Sequence, residues 1–392
     1  MVNVTLFGQI ISKLDRYSFK KIVGKHQSDK HHKGINSWTH LISMLFCHFS
    51  KANSLREISN GLRSATGNLN HLGISLAPSK SSLSYINQHR HWEVFRDYYF
   101  ALLNTLRKEV PFQRIKFKSK LKKILILDAT VITICLAVFD WARYRQTKGA
   151  IKLHMLLDYD GCLPTYVCMT DGKTSDVRIA QQLKLPPDSL VIMDRAYLDF
   201  AMLYRWHQDK VKFVIRLKKN IKFKRVKEYP LPEKKEQHIL VDELISLSPY
   251  GCGRQYPEKL RRVAVWDDVN KRVIEILTNQ LTWTAATIAE LYKQRWSRFI
   301  GKIFFKALKQ LLKIKTFVGT SKNAVLIQIW TALITILILK YLKQLAKYDW
   351  CLSNLVAFLR MNLFVKIDLQ KWLDKPFEPL DPVTKVEQLS LI

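Results

Sequence analysis

The chain has 392 residues and carries 64 Lys and Arg against 32 Asp and Glu, a formal charge of +32. With 48% hydrophobic and 11% aromatic residues it can build a packed core, which excludes a disordered chain, and its length excludes a minimal stapled module. So large a charge penalises compaction unless an anionic partner offsets it, and nucleic acid is the commonest such partner.

The first residues, Met1-Val-Asn-Val-Thr-Leu-Phe7, contain no charged segment leading into an apolar run, so no signal peptide is expected. Residues 1–95 read as helical, with Leu41, Ile42, Met44, Leu45, Phe46 and Phe49 forming one apolar face. Ser54-Leu-Arg-Glu57 has the pattern of a capping box, in which hydroxyl and carboxylate satisfy the free N–H groups of a helix start. That helix should stop near Gly67. Pro78-Ser79 then opens a helix carrying Lys80, Ser81, Ser82, Tyr85, Asn87, Gln88, His89 and Arg90. The pair reads either as a helix-turn-helix reader of DNA or as an ordinary solvated helix on a helical domain. Residues 96–120 are expected to be a linker helix.

From residue 121 the period changes. Lys122 to Asp128 is an apolar run ending in an acid, which suits a buried strand with a carboxylate at its tip. Ala150–Asp158 alternates, Asp160-Gly161 marks a hairpin turn, and Pro164–Thr170 is the returning strand. A helix is expected over Ser175–Leu183, a second acid-tipped strand over Leu190–Asp194, a helix over Phe200–Gln208 and a strand over Lys212–Leu217. Residues 121–218 and 284–345 should therefore form an α/β core.

Between them, 219–283 reads as a basic β-rich insertion with strands at Arg262–Trp266 and Val273–Leu277. From Lys212 to Lys235 there are ten basic residues, including Lys218, Lys219, Lys222, Lys224 and Arg225, against Glu228 and Glu233. Helical period returns at Ala285–Leu312. Ala324–Leu339 is nearly all apolar but has only 16 residues, where a membrane span wants about 20, so it reads as a core helix. Residues 346–392 are left as a C-terminal tail. The six cysteines, at 47, 135, 162, 168, 252 and 351, lack Cys-x-x-Cys spacing and are expected to be buried thiols in a reducing cytosol.

An isolated carboxylate at a strand end is usually a cap. Two in one sheet of a strongly basic protein point instead to divalent metal, because phosphodiester chemistry uses carboxylates to place such ions. Asp128 and Asp194 are the candidates, and a third acid from a helix would complete the set.

Several blocks then give a resemblance. Phe7–Ile11, Trp38–Phe46, Ser54–Glu57 and Pro78–Leu83 are similar to an N-terminal domain often found on transposases of the IS4 family of bacterial insertion sequences. Ile126-Leu-Asp128-Ala-Thr130, Lys152-Leu-His154, Thr170-Asp-Gly172 and Met193-Asp194-Arg195-Ala-Tyr197 resemble that family's blocks for the first two acids of its DDE triad. Tyr292-Lys-Gln-Arg295-Trp296, Phe304-Phe305-Lys306-x-x-Lys309-Gln310, Lys315–Gly319, Asn323-Ala324 and Gln328-Ile-Trp330 resemble the block for the third.

The resemblance implies an RNase H-like catalytic core with a β-rich insertion, preceded by an all-helical N-terminal DNA-binding domain. It implies Asp128 and Asp194 as metal ligands with Mg²⁺, or Mn²⁺, as cofactor, cleavage at transposon ends and joining of a 3′-hydroxyl to target DNA. Tyr292, Arg295 and Lys309 belong to the family's Tyr-x-x-Arg-x-x-x-Glu-(x)6-Lys signature and, with Lys306, are expected against transposon-end DNA. The implied partners are terminal inverted repeats, target DNA and a second copy of the chain, in the bacterial cytoplasm with no membrane involved.

The third acid is absent. Counting forward from Arg295 places it at Phe299; counting back from Phe304-Phe305 and from Lys309 places it at Lys302. The stretch from Trp296 to Phe304 is three residues longer than the family spacing, a rotation of roughly 300° on a continuous helix unless it breaks, and Gly301 is the residue that permits a break. Glu290 is about 18 Å of helix away from position 302 and cannot substitute. The expectation is a transposase impaired in this copy; the alternative is an inactive remnant that only occupies the element ends.

Overall fold

In the computed structural model, residues 3–32, 34–65, 67–110, 112, 123–134, 143–145, 148–231, 238–296, 301–311 and 317–378 are described. Among them ten strands share one sheet: β1 (Lys123–Ile134), β2 (Arg143–Arg145), β3 (Lys148–Asp158), β4 (Pro164–Asp171), β5 (Ser189–Met193), β6 (Lys212–Arg216), β7 (Phe223–Glu228), β8 (Ile239–Leu247), β9 (Leu260–Asp267) and β10 (Arg272–Thr278). Their order is β2-β3-β1-β5-β6-β10-β9-β8-β7, with β4 on β3. The pairs β1–β5 and β5–β6 are parallel and the others antiparallel.

The two faces follow from period-two side chains. Leu125, Leu127, Val191, Met193, Phe213 and Ile215 share one core with α8 (Phe200–Gln208). On the other face, Leu190, Ile192 and Val214 pack under α10 (Ala285–Trp296). Ile126 joins a larger core with α11 (Gly301–Leu311). The basic insertion extends this sheet rather than standing apart from it, because β10 pairs with β6 over Ile276–Thr278. Its interior is sealed by ion pairs: Arg261 grips Asp242 in a bidentate pair at 2.7 Å, and Arg262 reaches Glu243 at 2.6 Å and Glu275 at 2.8 Å.

Among the described residues six α-helices precede the sheet: α1 (Leu6–Ser12), α2 (Arg16–Lys25), α3 (Ser37–Ser50), α4 (Leu55–Ser64), α5 (Lys80–His89) and α6 (Glu93–Glu109). At α4 the Ser54 hydroxyl accepts from the Glu57 N–H at 3.2 Å, as the capping pattern requires. The Glu57 carboxylate accepts from the Asn53 N–H at 2.8 Å, one residue earlier than the standard box. The connection to α5 is not the short turn of a helix-turn-helix pair: residues 65–79 intervene, with a 3-10 turn at Asn70–Leu72.

The apolar helix is α12 (Lys322–Leu345), 24 residues long; its most apolar stretch has a mean hydropathy of 2.0 and is 89% buried in the protein. It lies against α3, α5 and α6, and Trp330 stacks on Trp92 with ring centroids 6.4 Å apart. Its few polar groups are joints. Asn323 Nδ2 donates to the carbonyls of Asn87 at 2.9 Å and Arg90 at 2.7 Å, satisfying the end of α5. Gln328 Oε1 accepts from the Val318 N–H at 3.0 Å, fixing the segment that follows α11. Gly319 is required here, since a Cβ would lie 2.6 Å from that of Ala324. Residues 318–328 thus join the sheet's helices to the N-terminal ones.

The expected boundary at residue 95 falls inside α6, and 346–392 supplies α13 (Leu352–Asn362) and α14 (Leu369–Asp374). These pack on α3 and α1, and the N–H groups of Leu6 and Phe7 donate to the Val365 and Leu363 carbonyls at 2.9 and 2.8 Å. The five described cysteines are free thiols; Cys47 and Cys162 are buried, but Cys351 is exposed at the start of α13, and Cys135 lies outside the described residues.

Two measurements check this packing. Asn323→Ala removes both donors from the end of α5 and should destabilise the protein by about 1–3 kcal/mol in urea unfolding, a loss not expected if Asn323 were merely solvated. His40, fully buried against Asn87 and repelled by Arg90, has its pKa pushed down to about 3 from 6.5. Below pH 6.5 the unfolded chain takes up a proton that the folded one refuses, so stability should fall from about pH 6.5 toward pH 3, and His40→Gln should flatten that part of the profile.

Candidate active site

Parallel pairing of β1 with β5 runs Lys123↔Ser189, Ile124↔Leu190, Leu125↔Val191 and Ile126↔Ile192. Two residues further along both strands stand Asp128 and Asp194. Paired strands lie about 5 Å apart, so the register brings both acids to the same level on neighbouring strands, just past the end of the pairing. Both follow an isoleucine by two residues, and Asp194 is still extended at φ −92° and ψ 175°, so both project on the face covered by α10 and α11.

Asp128 was expected at a strand tip, and the structure corrects this. It lies in the middle of β1, which continues to Ile134 paired with β3. What ends at Ile126 is the pairing with β5, which turns away as Asp194 caps a 3-10 turn, its Oδ1 accepting from the Ala196 N–H at 2.7 Å. Asp128 Oδ1 accepts from the Ala129 N–H at 2.9 Å. Both acids are half-buried at the notch this divergence opens.

Two carboxylates at one notch fit a Mg²⁺ ion, which keeps several waters and commonly takes only one or two protein carboxylates plus substrate phosphates. Among the described residues no group of three His, Cys, Asp or Glu is placed to hold a metal. Glu290 does not fill the gap. It neighbours Tyr159, whose hydroxyl is raised to about 12 by burial and by the nearby carboxylates of Glu290 and Asp160. Tyr159 in turn donates its N–H to the Ile124 carbonyl, at the far end of β1, about 13 Å of strand from Asp128.

Comparison with known proteins decides the family. Residues 119–338 match the transposase DDE domain, and residues 2–75 match a domain of unknown function, DUF4372. The chain belongs to the DDE transposases of insertion sequences. It is 28% identical to the "Probable transposase for insertion sequence element IS5377" of Geobacillus stearothermophilus, over 67% of this chain and 72% of that one. It is 26% identical to the "Putative transposase y4zB" of Sinorhizobium fredii, over 78% and 83% of the two chains. A piggyBac transposase in a synaptic complex with hairpin DNA overlays at a TM-score of 0.41 and 12% identity, covering 95% of this chain and 81% of that one, a loose likeness.

Within this transposase, the residues of the third block separate. Tyr292, expected to face DNA, is 2% exposed and packs with Ile288 and Leu291 against Leu190, Ile192 and Val214. An aromatic ring at this helix position seals α10 to the sheet and offers a duplex no surface. The side chains of Arg295 and Lys302 lie outside the described residues. The backbone of Lys302 is in the first turn of α11, which begins at Gly301. Lys306 and Lys309 are exposed on α11. Lys219, Lys222, Lys224 and Arg225 are exposed and Lys218 half-buried, and Arg225 pairs with Glu228 at 2.9 Å. Most of these border or occupy β7, the outermost strand, where charge also guards an open sheet edge.

Asp176 was not singled out in the sequence. It opens α7 (Asp176–Ala180), and its Oδ1 is 2.9 Å from Lys152 Nζ and 3.3 Å from His154 Nδ1. Burial opposes its ionisation, but these contacts outweigh it and hold the carboxyl below its ordinary range. The available clue was Lys152-Leu-His154 itself: two polar side chains on one face of a buried strand need a buried partner.

Tyr292→Ala should cost about 3 kcal/mol of stability in thermal or urea unfolding, as loss of a buried aromatic does. An unchanged stability would return Tyr292 to a surface role.

Proposed function

We propose that this transposase binds the terminal inverted repeats of its element and carries a DDE-type site for strand cleavage and transfer, with Asp128 and Asp194 as its metal ligands. The observation that supports this most is their shared register and face on adjacent parallel strands. The parallel β1–β5–β6 unit, with helices on both faces, fits an RNase H-like core. Mg²⁺ or Mn²⁺ bound there would activate the attacking oxygen and stabilise the leaving one. The chain's own contribution is to hold two carboxylates rigidly at a notch, each oriented by a backbone N–H.

DNA would be held by charge. Lys306 and Lys309 on α11, with Lys218, Lys219, Lys222, Lys224 and Arg225 near β7, present cations to phosphate, and Arg295 is assigned the same role. The N-terminal helices, with Lys80, Gln88 and His89 exposed on α5, supply a second surface. In domain terms, 1–95 would be the helical DNA-binding part and 96–120 its link to the core; 121–218 and 284–345 would form the catalytic core, 219–283 its insertion and 346–392 the C-terminal region. A second copy of the chain would bridge the two element ends.

This copy is read as impaired in cleavage. Lys302 stands where the third acid belongs, and exchanging −1 for +1 beside a dication changes the local balance by on the order of 10 kcal/mol, taking about 4 kcal/mol per unit pair at 4 Å. That substitution favours the second reading, a protein that occupies the ends without cutting them.

Mobility-shift and nicking assays on the repeats flanking the gene separate the two. The expected result is binding that weakens steeply with salt, as released counterions dictate, with no Mg²⁺-dependent nicking. Lys302→Glu combined with removal of the three extra residues between Trp296 and Phe304 should restore nicking, and Asp128→Asn should abolish it again. Nicking by the unaltered chain would overturn the impairment, and salt-insensitive binding would count against the DNA surface.

A further inference from the structure

We infer that Asp176, with His154 and Lys152, is a positioning device that sets the separation of Asp128 and Asp194 from the opposite face of the sheet; this rests on reading those two acids as metal ligands. On one side, His154 sits opposite Ala129, the neighbour of Asp128, and is fully buried, with Nε2 3.0 Å from Thr170 Oγ1. It alternates with Met155, which is opposite Asp128, so it points to the face that the aspartates do not use. Lys152 and His154 meet the Asp176 carboxylate there, at 2.9 and 3.3 Å. Lys152 Nζ also reaches the Thr174 carbonyl at 3.3 Å.

On the other side, α7 packs against the 3-10 turn capped by Asp194. Just past α7, Gln181 Nε2 donates to Asp199 Oδ2 at 3.2 Å, and the Gln181 carbonyl accepts from Arg205 at 2.7 Å. Asp199 caps α8, the helix that follows the Asp194 turn. The path from β3 through Asp176 and α7 to α8 is therefore a strap across the two elements that carry the aspartates. It lies where β1 and β5 no longer hydrogen-bond to each other. Strand pairing fixes the two acids only as far as Ile126 and Ile192. Beyond that point the strap adds a constraint to the β1–β3 pairing and to the packing of the Asp194 turn on β6.

The test is Mn²⁺ binding to the full chain without DNA, followed by the EPR signal of free Mn²⁺. Asp176→Asn should weaken binding roughly tenfold, the order seen when support around metal ligands is removed. His154→Gln, which keeps a hydrogen-bonding group toward Asp176, should stay within about threefold of the unaltered chain, a conservative rescue with the same reference. Asp242→Asn breaks a buried ion pair remote from the site; it should lower the melting temperature yet leave Mn²⁺ affinity unchanged. Equal affinity in Asp176→Asn and the unaltered chain would overturn the inference. So would an equal loss in Asp242→Asn, which would mark the effect as general loosening. No binding by the unaltered chain would move the same comparison to the chain carrying Lys302→Glu; no binding there either, or binding untouched by Asp128→Asn, would remove the metal-ligand reading itself and the inference with it.

Discussion

Everything proposed for this transposase depends on the parallel register of β1 and β5. Side chains alternate along a strand, so a slip of one residue would send Asp128 or Asp194 to the opposite face and separate them by the thickness of the sheet. The register is held because both faces are buried. Leu125 and Leu127 meet Val191 and Met193 on one side, while Ile126 and Ile192 meet the helices on the other. A slip would expose none of these side chains to water, but it would misplace four well-packed pairs. The short length of the pairing matters as much as its register. It stops two residues before the acids, leaving a notch between diverging strands instead of a flat sheet surface.

Much of this was legible in the sequence. Apolar runs of strand length, the Asp160-Gly161 turn and the Ser54 cap are local signals, and each appears where local physics puts it. The pairing of Asp128 with Asp194 was readable only as two acids after two apolar runs; that they share a register is a tertiary fact. Asp128 was misplaced at a strand tip because the acid was taken as the end of the apolar run, although Thr130-Val-Ile-Thr-Ile134 beyond it is β-branched and alternates buried with exposed positions. Tyr292 was misread because an aromatic in a basic helix looks the same whether it covers a sheet or a duplex. The limits of α4 and α5 were legible from Ser54, Gly67 and Pro78-Ser79, whereas the 3-10 turn between them was not, since it has no periodic pattern. Asp176 was missed because Lys152 and His154 signal only that a buried partner is needed; which acid meets them is set by the tertiary fold.

The charge of +32 acquires a distribution. Several of the acids are spent internally: Asp242, Glu243 and Glu275 neutralise Arg261 and Arg262 inside the insertion, and Asp176 is taken by Lys152. The surplus cations are left facing outward along β7 and α11. Breaking a buried ion pair on one side is costly, so these internal acids are constrained by stability and not by DNA. Lys302, whose backbone lies in the first turn of α11, adds to the positive side of that balance.

The claim that Asp128 and Asp194 hold one ion together can be tested without any DNA or turnover. Fe²⁺ loaded in place of Mg²⁺ generates hydroxyl radicals with ascorbate and peroxide, and these cut the polypeptide next to the bound ion. Mass spectrometry of the fragments should find cuts clustered near residues 128 and 194 together, excess Mg²⁺ should suppress both, and Asp194→Asn should abolish both. Cuts near only one of the two, or the same cuts surviving in Asp194→Asn, would contradict a shared site.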